Sequence, residues 1–496
     1  MEYRIKDNII QVVTDTKKAK ELIEEFSVFK PGYEFDIRYR MGKSDGKHKF
    51  YNLKPLKNNL ILLELEFGFL ERVQLHLNPK PDLKEYEDYT KEEITDFLKK
   101  ELPLLPFKPR KYQLKMIYGM LMNKRHLGIM STGGGKSLVA YLVIKFLLSK
   151  NKKTILIVPT IGLVDQMFSD FKDYNGDSIL DEIQKIGGEY KNKNLEKNIV
   201  ISTWQSLSKA KNISNYDCLF VDEAHKAKAD VLSDILKINT NKKIGMTGSM
   251  PIIEIDAMKL EEIFGYPKLY ANAKDLIDLG LLTKTIVIAL FLEYPRKYTK
   301  SGLKYQQESK LIRELPQRIE FTCKLLNNIK KSGITLMTYN TTKFGEDVYK
   351  QLTNTNSKEL KKIINDFEKQ KELKTFIISG KTKASIREQI RMYLNSEKST
   401  NETVIAQTTT MELGINIPKL KNFVFGESPG KSFTKILQSI GRVMRKAEEK
   451  GNAVYVWDII DCFSYKKENY SQSHFWERLQ YYESEGHPVQ EKTTTL

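Results

Sequence analysis

Cysteine is scarce in this chain: Cys218, Cys323 and Cys462 are the only three in 496 residues. They are odd in number, scattered and mostly in strand-like surroundings, which excludes a disulfide framework and offers no metal-ligand spacing, so they read as reduced core residues. Apolar runs are also short. None approaches a bilayer span and no cleavable signal opens the chain, so the expectation is a cytoplasmic protein without a membrane partner. Acidic residues are the third shortage, 63 Asp and Glu against 81 Lys and Arg, a formal charge of +18. An excess of that sign suits an acidic polymer as partner, although solubility alone would also account for it. No internal repeat stands out at the residue level. The apolar share of 40% is nevertheless enough to build cores, and the length suits two to four domains.

The informative stretch is Met130-Ser-Thr-Gly-Gly-Gly-Lys-Ser137. A strand-like run, Arg125 to Met130, feeds it, and an apolar helical run, Leu138 to Leu148, follows, which is the order of a P-loop. Gly133, Gly134 and Gly135 have no Cβ, so backbone N–H groups there can close around phosphate oxygens at the positive end of the helix. Lys136 would reach the terminal phosphates and Ser137 would hold a magnesium ion. The strict pattern wants Gly where Met130 stands.

A second phosphate motif lies downstream. Asp217 to Val221 reads as a buried strand ending in Asp222-Glu-Ala-His225, which puts two carboxylates at the strand's carboxyl end, where open α/β sheets bind ligands. Asp222 can hold the magnesium, and Glu223 can orient or deprotonate an attacking water. In isolation the tetrapeptide could simply start a helix. After a buried strand and a phosphate cradle, it points to ATP hydrolysis.

Residues 1–100 read as a basic α+β domain. Between Lys30 and Lys57 bases outnumber acids and aromatics are interleaved. Alternation in Phe35-Asp-Ile-Arg-Tyr-Arg40 predicts a strand with Phe35, Ile37 and Tyr39 on one face and Arg38 and Arg40 on the other. Arg38, Arg40, Lys43 and Lys47 would line a surface that tracks a nucleic-acid backbone, and a solvated hairpin with an aromatic core side stays equally open. A charged helix near Glu92 to Glu101 and a Pro103, Pro106, Pro109 linker follow. Then comes Arg110-Lys-Tyr-Gln113, where Gln113 carries the donor and acceptor that adenine's edge requires.

From there β/α alternation predicts parallel sheets covered on both faces. The expected strands are Thr154–Pro159, Asn198–Thr203, Cys218–Val221 and Lys243–Thr247 in a first lobe. In a second lobe they are Ile286–Phe291, Ile334–Tyr339, Thr375–Ser379, Thr403–Ala406, Phe423–Phe425 and Ala453–Ile460. Thr160, Thr203 and Gln205, at strand ends, can touch phosphates without reading sequence, or can cap the next helix. The second lobe lacks a cradle but carries Gln438 to Arg445, in which Arg442 and Arg445 share a helix face and can stabilise phosphoryl charge across a cleft. Asn354 to Lys374 reads as a solvated polar excursion, and the tail from 466 to 496 as a short docked helix. The expected parts are therefore 1–100, a RecA-like lobe at 101–282, a second at 283–465 and the tail.

In this order the motifs resemble those of superfamily 2 helicases over nearly the whole chain. Within that superfamily the chain is similar to the UvsW-type recombination helicases of T-even bacteriophages, through Gly32 to Gly42 with Asp45-Gly-Lys47, Lys185 to Gly188, and Gln438 to Lys446. The family has Trp where this chain has Ser44, which removes one stacking contact from the expected N-terminal DNA site. The resemblance implies a nucleotide site of Arg110, Gln113 and Thr132 to Ser137, with catalysis by Lys136, Asp222, Glu223, Arg442 and Arg445. It implies coupling through His225, Thr247, Ser249 and Gln438, and contacts to nucleic acid by Thr160, Thr203, Gln205 and Thr409. It further implies an ATP- and Mg2+-dependent 3′-to-5′ DNA translocase in a host cytoplasm, and a monomer is expected. Its substrates would be single-stranded, forked and junction DNA and RNA–DNA hybrids, and its partners recombination or single-strand-binding proteins. An RNA helicase, a duplex translocase that separates no strands, and a strand-annealing protein without turnover remain as alternatives.

Overall fold

The computed structural model describes residues 2–78, 80–82, 86–174, 177–188, 194–210, 212–227, 229–238, 240–251, 253–299, 302–408, 417, 419–428, 453–464 and 467–496. The chain divides into two units, Met1–Ala271 and Asn272–Leu496.

The first unit opens with β1 (Glu2–Lys6), β2 (Ile9–Asp15), β3 (Ser27–Phe29), β4 (Lys47–Lys49), β5 (Tyr51–Pro55) and β6 (Leu60–Glu66). They form an antiparallel sheet in the order β1-β2-β6-β5 and a small β3–β4 pair. Alternation in β2 turns Ile10 and Val12 inward, where they meet Phe26, Phe50, Leu63, Leu65 and Phe69. This core also takes in Ile255 and Met258 from the helix Glu254–Phe264. Contact there is too close for a side chain on one partner: a Cβ on Gly68 would lie 2.2 Å from the Glu261 carbonyl oxygen. Beside it Arg72 grips the Glu261 carboxylate with two bonds of 2.9 and 2.6 Å.

The predicted Phe35–Arg40 strand is not formed. Tyr33–Phe35 is a 3₁₀ turn and Ile37–Arg40 one turn of α-helix. The reason is local: the Asp36 carboxylate accepts from the Arg38 N–H at 2.9 Å, the capping geometry Asp prefers to a sheet ladder.

The rest of the first unit is a seven-stranded sheet: β7 (Arg125–Met130), β8 (Thr154–Val158), β9 (Ile183–Ile186), β10 (Ile199–Thr203), β11 (Cys218–Asp222), β12 (Lys242–Thr247) and β13 (Pro267–Ala271). Its order is β13-β7-β12-β11-β8-β10-β9, all parallel. Every residue of β8, β10, β11 and β12 is buried, which is why these strands read as continuous apolar runs.

The second unit repeats the plan with β14 (Lys284–Glu293), β15 (Thr335–Tyr339), β16 (Thr375–Ile378), β17 (Thr403–Gln407), β18 (Asn422–Phe425), β19 (Ala453–Cys462) and β20 (Val489–Thr495). These lie parallel in the order β16-β17-β15-β18-β19-β14-β20. Two expectations change. The tail is more than a short docked helix: Tyr470–Ser484 is a helix of 15 residues, and β20 then joins the sheet beside β14. Nor is 354–374 a solvated excursion. Its helices Ser357–Ile363 and Phe367–Glu372 send Leu360, Ile363 and Ile364 into the core, and the buried Gln370 bonds to Ile363 O and Ile377 N.

Two fully buried ion pairs fasten the elements around β19. Arg318 Nε meets Asp461 Oδ1 at 2.6 Å, and Arg478 forks onto Asp458 at 2.8 and 3.0 Å. Tyr294 donates to Asp461 and Tyr482 to Asp458, so each carboxylate is multiply bonded. The cysteines are free, Cys218 and Cys323 buried. Among the described residues no helix is long and apolar enough to cross a membrane.

Candidate active site

Strand β7 ends at Met130, and the turn that follows reaches the helix Lys136–Ser149 through Gly133 and Gly135, with φ of +86° and +85°. Side chains rarely tolerate that region. Space is short as well: a Cβ on Gly134 would lie 2.6 Å from Met130 Cγ, and one on Gly135 2.3 Å from Gln113 Nε2. Met130, the departure from the strict pattern, is thus buried against the loop, where it packs on Gly134.

The loop is also braced from the helix Lys111–Met122. Gln113 is buried; its Nε2 donates to Gly134 O at 2.8 Å and its Oε1 accepts from Arg110 N at 2.8 Å. Tyr112 adds a hydroxyl bond to the same Gly134 oxygen at 3.1 Å. Both functional groups of Gln113 are therefore turned to protein backbone, and its amide holds the shape of the loop. The Arg110 side chain is exposed.

Lys136, first residue of that helix, ion-pairs with Glu223 Oε1 at 2.8 Å and donates to Met130 O at 3.4 Å. This joins the loop after β7 to the end of β11, two strands away in the sheet. Strand β12 lies between them and supplies Thr247, whose Oγ1 is 2.5 Å from His225 Nδ1. Thr247 donates its own proton to Ser249 O at 2.7 Å, so His225 Nδ1–H is the donor to Thr247. Lys136, Asp222, Glu223, His225, Thr247 and Ser249 thereby converge at the carboxyl edge of one sheet. Thr132 belongs to the same group: a Cβ on Gly248 would meet Lys136 Nζ at 3.4 Å and Thr132 Oγ1 at 3.6 Å.

Burial and charge set the protonation of these groups. Burial pushes the Asp222 carboxyl up, and the Glu223 charge pushes it further, against the pull of Lys136. Burial also opposes the Glu223 charge, but the Lys136 ammonium beside it wins and holds that carboxyl well below the usual range. Burial would lower the Lys136 ammonium; the two carboxylates reverse this and the net shift is upward. Burial brings His225 down to about 4, so it is neutral at physiological pH. Glu223 moreover has φ of +49°, a left-handed backbone that costs a non-glycine residue about 1–2 kcal/mol. Such strain collects at functional turns, and here it aims the carboxylate at Lys136.

Two contacts here were not anticipated from sequence. The Ser137 hydroxyl bonds the Tyr174 hydroxyl at 2.8 Å, and Tyr112 bonds the cradle as above. Tyr174 stands in no motif, and Tyr112, though inside the Arg110–Gln113 stretch, was given no role there; the fold brings both hydroxyls to the site. The donor set suits magnesium. Among the described residues no three His, Cys, Asp or Glu cluster as a metal cage, so an ion between Ser137 and Asp222 would take its remaining ligands from phosphate and water, which is magnesium's habit.

The expected nucleic-acid contacts are placed unevenly. Thr203 is buried and its hydroxyl donates to the Ser206 hydroxyl at 3.0 Å; it stands at the N-cap of the turn Trp204–Leu207, but its side chain makes no cap bond. Thr160 precedes the helix Ile161–Asp173 with no side-chain cap bond, and Gln205 is exposed. Arg38, Arg40 and Lys43 are exposed in the N-terminal module, and Lys47 sits over the Phe29 ring at 4.9 Å. Thr409, Gln438, Arg442 and Arg445 lie outside the described residues.

Comparison with known proteins agrees with this geometry. The family model described as the res subunit of type III restriction enzymes matches residues 106–252, and the helicase conserved C-terminal domain matches residues 317–447. The chain is 28% identical to the ATP-dependent DNA helicase uvsW of Enterobacteria phage T4, over 98% of both chains. It is 23% identical to putative helicase 22 of a Sulfolobus islandicus filamentous virus, over 95% of this chain and 82% of that one. In fold it is similar to a fragment of a putative HsdR subunit of a type I restriction enzyme from Vibrio vulnificus YJ016, with a TM-score of 0.58 at 18% identity, over 97% of this chain and 84% of that one. Two tandem RecA-like sheets, a phosphate loop joined to a DEAH turn in the first, and helicase models matched in both make the chain an ATP-dependent helicase of superfamily 2.

Proposed function

We propose that this helicase works on DNA and remodels branched intermediates, forks and junctions, in recombination, repair and replication, with RNA–DNA hybrids among its substrates. The observation that carries the reading is the 2.8 Å Lys136–Glu223 pair at the sheet edge, which joins phosphate-binding and water-activating groups in one place. The likeness to the phage T4 DNA helicase over 98% of the chain supports DNA as the polymer, and the formal charge of +18 suits it. In this reading residues 1–100 bind the DNA substrate, 101–282 bind ATP, 283–465 form the second motor lobe and 466–496 complete it.

Backbone N–H groups of Thr132 to Gly135 hold the phosphates of ATP, at the positive end of the helix they introduce. Lys136 passes its ion pair from Glu223 to the terminal phosphate oxygens. Glu223, released, accepts a proton from the attacking water. Ser137 and Asp222 would hold magnesium, whose charge would offset that of the phosphates. Arg442 and Arg445 steady the transferring phosphoryl group. His225 carries the state of the DEAH turn to Thr247 and Ser249, and Gln438 serves the same coupling. Thr160, Gln205 and Thr409 meet the DNA backbone.

The test is ATPase rate with product analysis on single-strand, duplex, forked, four-way-junction, RNA and RNA–DNA substrates. The expected result is stimulation by DNA over RNA and strand-exchange products from forks and junctions. Stimulation by RNA alone, or translocation on duplex without any strand product, would overturn it.

A further inference from the structure

The short turns that replace the predicted strand at Phe35–Arg40 leave three large apolar side chains in water. Phe35 is 76% exposed, Ile37 69% and Met41 64%. A single exposed apolar residue means little, but three within seven residues on one small element are unusual. Ile37 and Met41 are four apart on a helical turn closed by the Met41 N to Ile37 O bond, so they share a face, and Phe35 sits one residue before the turn's cap.

The exposure follows from how the element is anchored. Tyr33 stacks on Phe29 at 4.3 Å and meets Tyr39 edge-on at 4.9 Å. Both tyrosines close over Gly46, where an added Cβ would lie 2.9 Å from Tyr33 and 3.1 Å from Tyr39 and whose φ is +70°. The aromatic pair that fixes the turn to the β3–β4 hairpin therefore points inward. That geometry turns Phe35, Ile37 and Met41 the other way.

The charge beside the apolar tip is mostly basic. Arg38, Arg40 and Lys43 are exposed on and just after the same turn; Arg40 lies 5.9 Å over the Phe35 ring and donates to Glu34 O at 2.8 Å. Two of the nearby acids are engaged, Asp36 with Arg38 and Asp45 with the Lys47 N–H and the Lys49 ammonium, while Glu34 is exposed beside Phe35 and is outnumbered by the bases. An apolar tip in a cationic rim is the complement of one common surface, the open face of a base pair, which is an apolar disc flanked by phosphates. It is a poor complement to a protein surface, because three side chains fall well short of the roughly 1,200 Å² that specific interfaces bury. The module is also firmly based, since Gly68, Arg72 and the shared Phe26–Met258 core join it to the helix Glu254–Phe264 of the same unit.

We propose that Phe35, Ile37 and Met41 form a wedge that stacks on the last base pair at a single-strand/duplex junction, with Arg38, Arg40 and Lys43 on the flanking phosphates. The proposal rests on the reading of the chain as a DNA motor and adds a site that the motor residues do not supply: the place where the strands part. A motor that pulls one strand past a fixed apolar stop separates the pair.

The test uses the full chain and a forked DNA with 2-aminopurine in the junction pair, beside single-stranded DNA of the same composition. In the triple variant Phe35→Ser, Ile37→Ser, Met41→Ser, the junction fluorescence change should vanish. Strand separation should slow about tenfold or more, the scale of one lost base stack, while single-strand-stimulated ATPase stays within about twofold. The substitutions are all at exposed positions and leave Tyr33, Tyr39 and Gly46 in place, so the module keeps its anchor. Phe35→Trp should retain the signal. The proposal is overturned if the triple variant separates forks at the wild-type rate, or if its junction signal persists. An absence of DNA-stimulated ATPase in the wild type would instead sink the motor reading itself.

Discussion

In the first unit the sheet edge carries Lys136 and Glu223 partly open to solvent beside the buried Asp222, one carboxyl pushed up and its neighbour held down. In the second unit, charged groups around β18 and β19 are closed off. Arg318–Asp461 and Arg478–Asp458 are fully buried, and the Glu427 carboxylate accepts from Asn340 N at 2.5 Å and Thr341 N at 2.8 Å. The two sheets share a plan, seven parallel strands each, but use charge for opposite ends. One keeps a pair that an incoming phosphate can split, whereas the other saturates its carboxylates with hydrogen bonds so that nothing can compete.

If that division holds, substitutions should fail differently in the two units. Lys136→Ala should cut ATP turnover by about 10³-fold or more, worth about 4 kcal/mol of barrier, while DNA affinity at matched salt stays within about threefold. A variant that hydrolyses ATP at the normal rate would remove Lys136 from the chemistry. Asp458→Ala should do the reverse. It strands Arg478 and the Tyr482 hydroxyl in the core, at a cost of about 3–5 kcal/mol that urea unfolding of the full chain would register as an earlier transition. An unchanged transition would mean that the buried pair is not what fastens the terminal helix to β19.

A smaller effect is expected at the joint between β11 and β12. Thr247→Val keeps the volume and removes the acceptor for His225 Nδ1–H. Strand separation per ATP should fall about tenfold with ATPase within about threefold, since one buried hydrogen bond is worth about 1 kcal/mol or somewhat more when a partner is left unpaired. Parallel loss of both activities would make Thr247 part of the hydrolytic step instead.

Much of this division was legible in the residues because each buried parallel strand shows as an apolar run. β7, β8, β10, β11 and β12, and their counterparts in the second unit, were found within a residue or two. In the first 100 residues none of β1 to β6 was placed, and in the two parallel sheets the strands that were missed are β9, β13 and β20, with the sequences IQKI, PKLYA and VQEKTTT. All three lie at sheet edges, where one side of the ladder is open and the run is broken by polar residues. Periodicity misled at Phe35–Arg40, where period two was real but the Asp36 cap overrode it. In 354–374 the Lys and Glu content hid the buried Leu360, Ile363 and Ile364. The cradle and DEAH turn could be named from sequence because their chemistry needs fixed residue types at fixed spacing. Gln113's hold on Gly134 and Tyr174's bond to Ser137 could not, since each joins residues distant in sequence through nothing but the fold, and the resemblance named His225 and Thr247 for coupling but not the direct bond between them.

The mildest consequence concerns a titratable group in the closed-off unit. His487 is 3% exposed, lies between the helix Tyr470–Ser484 and β20, and is brought by burial down to about 4. In the unfolded chain it titrates near its ordinary value of 6.5. Between those two values the unfolded state takes up a proton that the folded state refuses, so stability is complete above about pH 6.5 and falls as the pH is lowered toward 4, where the folded state protonates as well. The slope approaches about 1.4 kcal/mol per pH unit. A His487→Leu variant lacks this loss. Referred to its own stability at pH 7.5, it should therefore gain about 1 kcal/mol on the wild type by pH 5.5, read as a narrowing or reversal of the difference in urea midpoints. Raised carboxyls such as Glu308 and Glu485 act in the opposite sense in both proteins and cancel in the comparison. A difference that stays constant from pH 7.5 to 5.5 would mean that acid reaches His487 in the folded chain, and that the second unit is not sealed along β20.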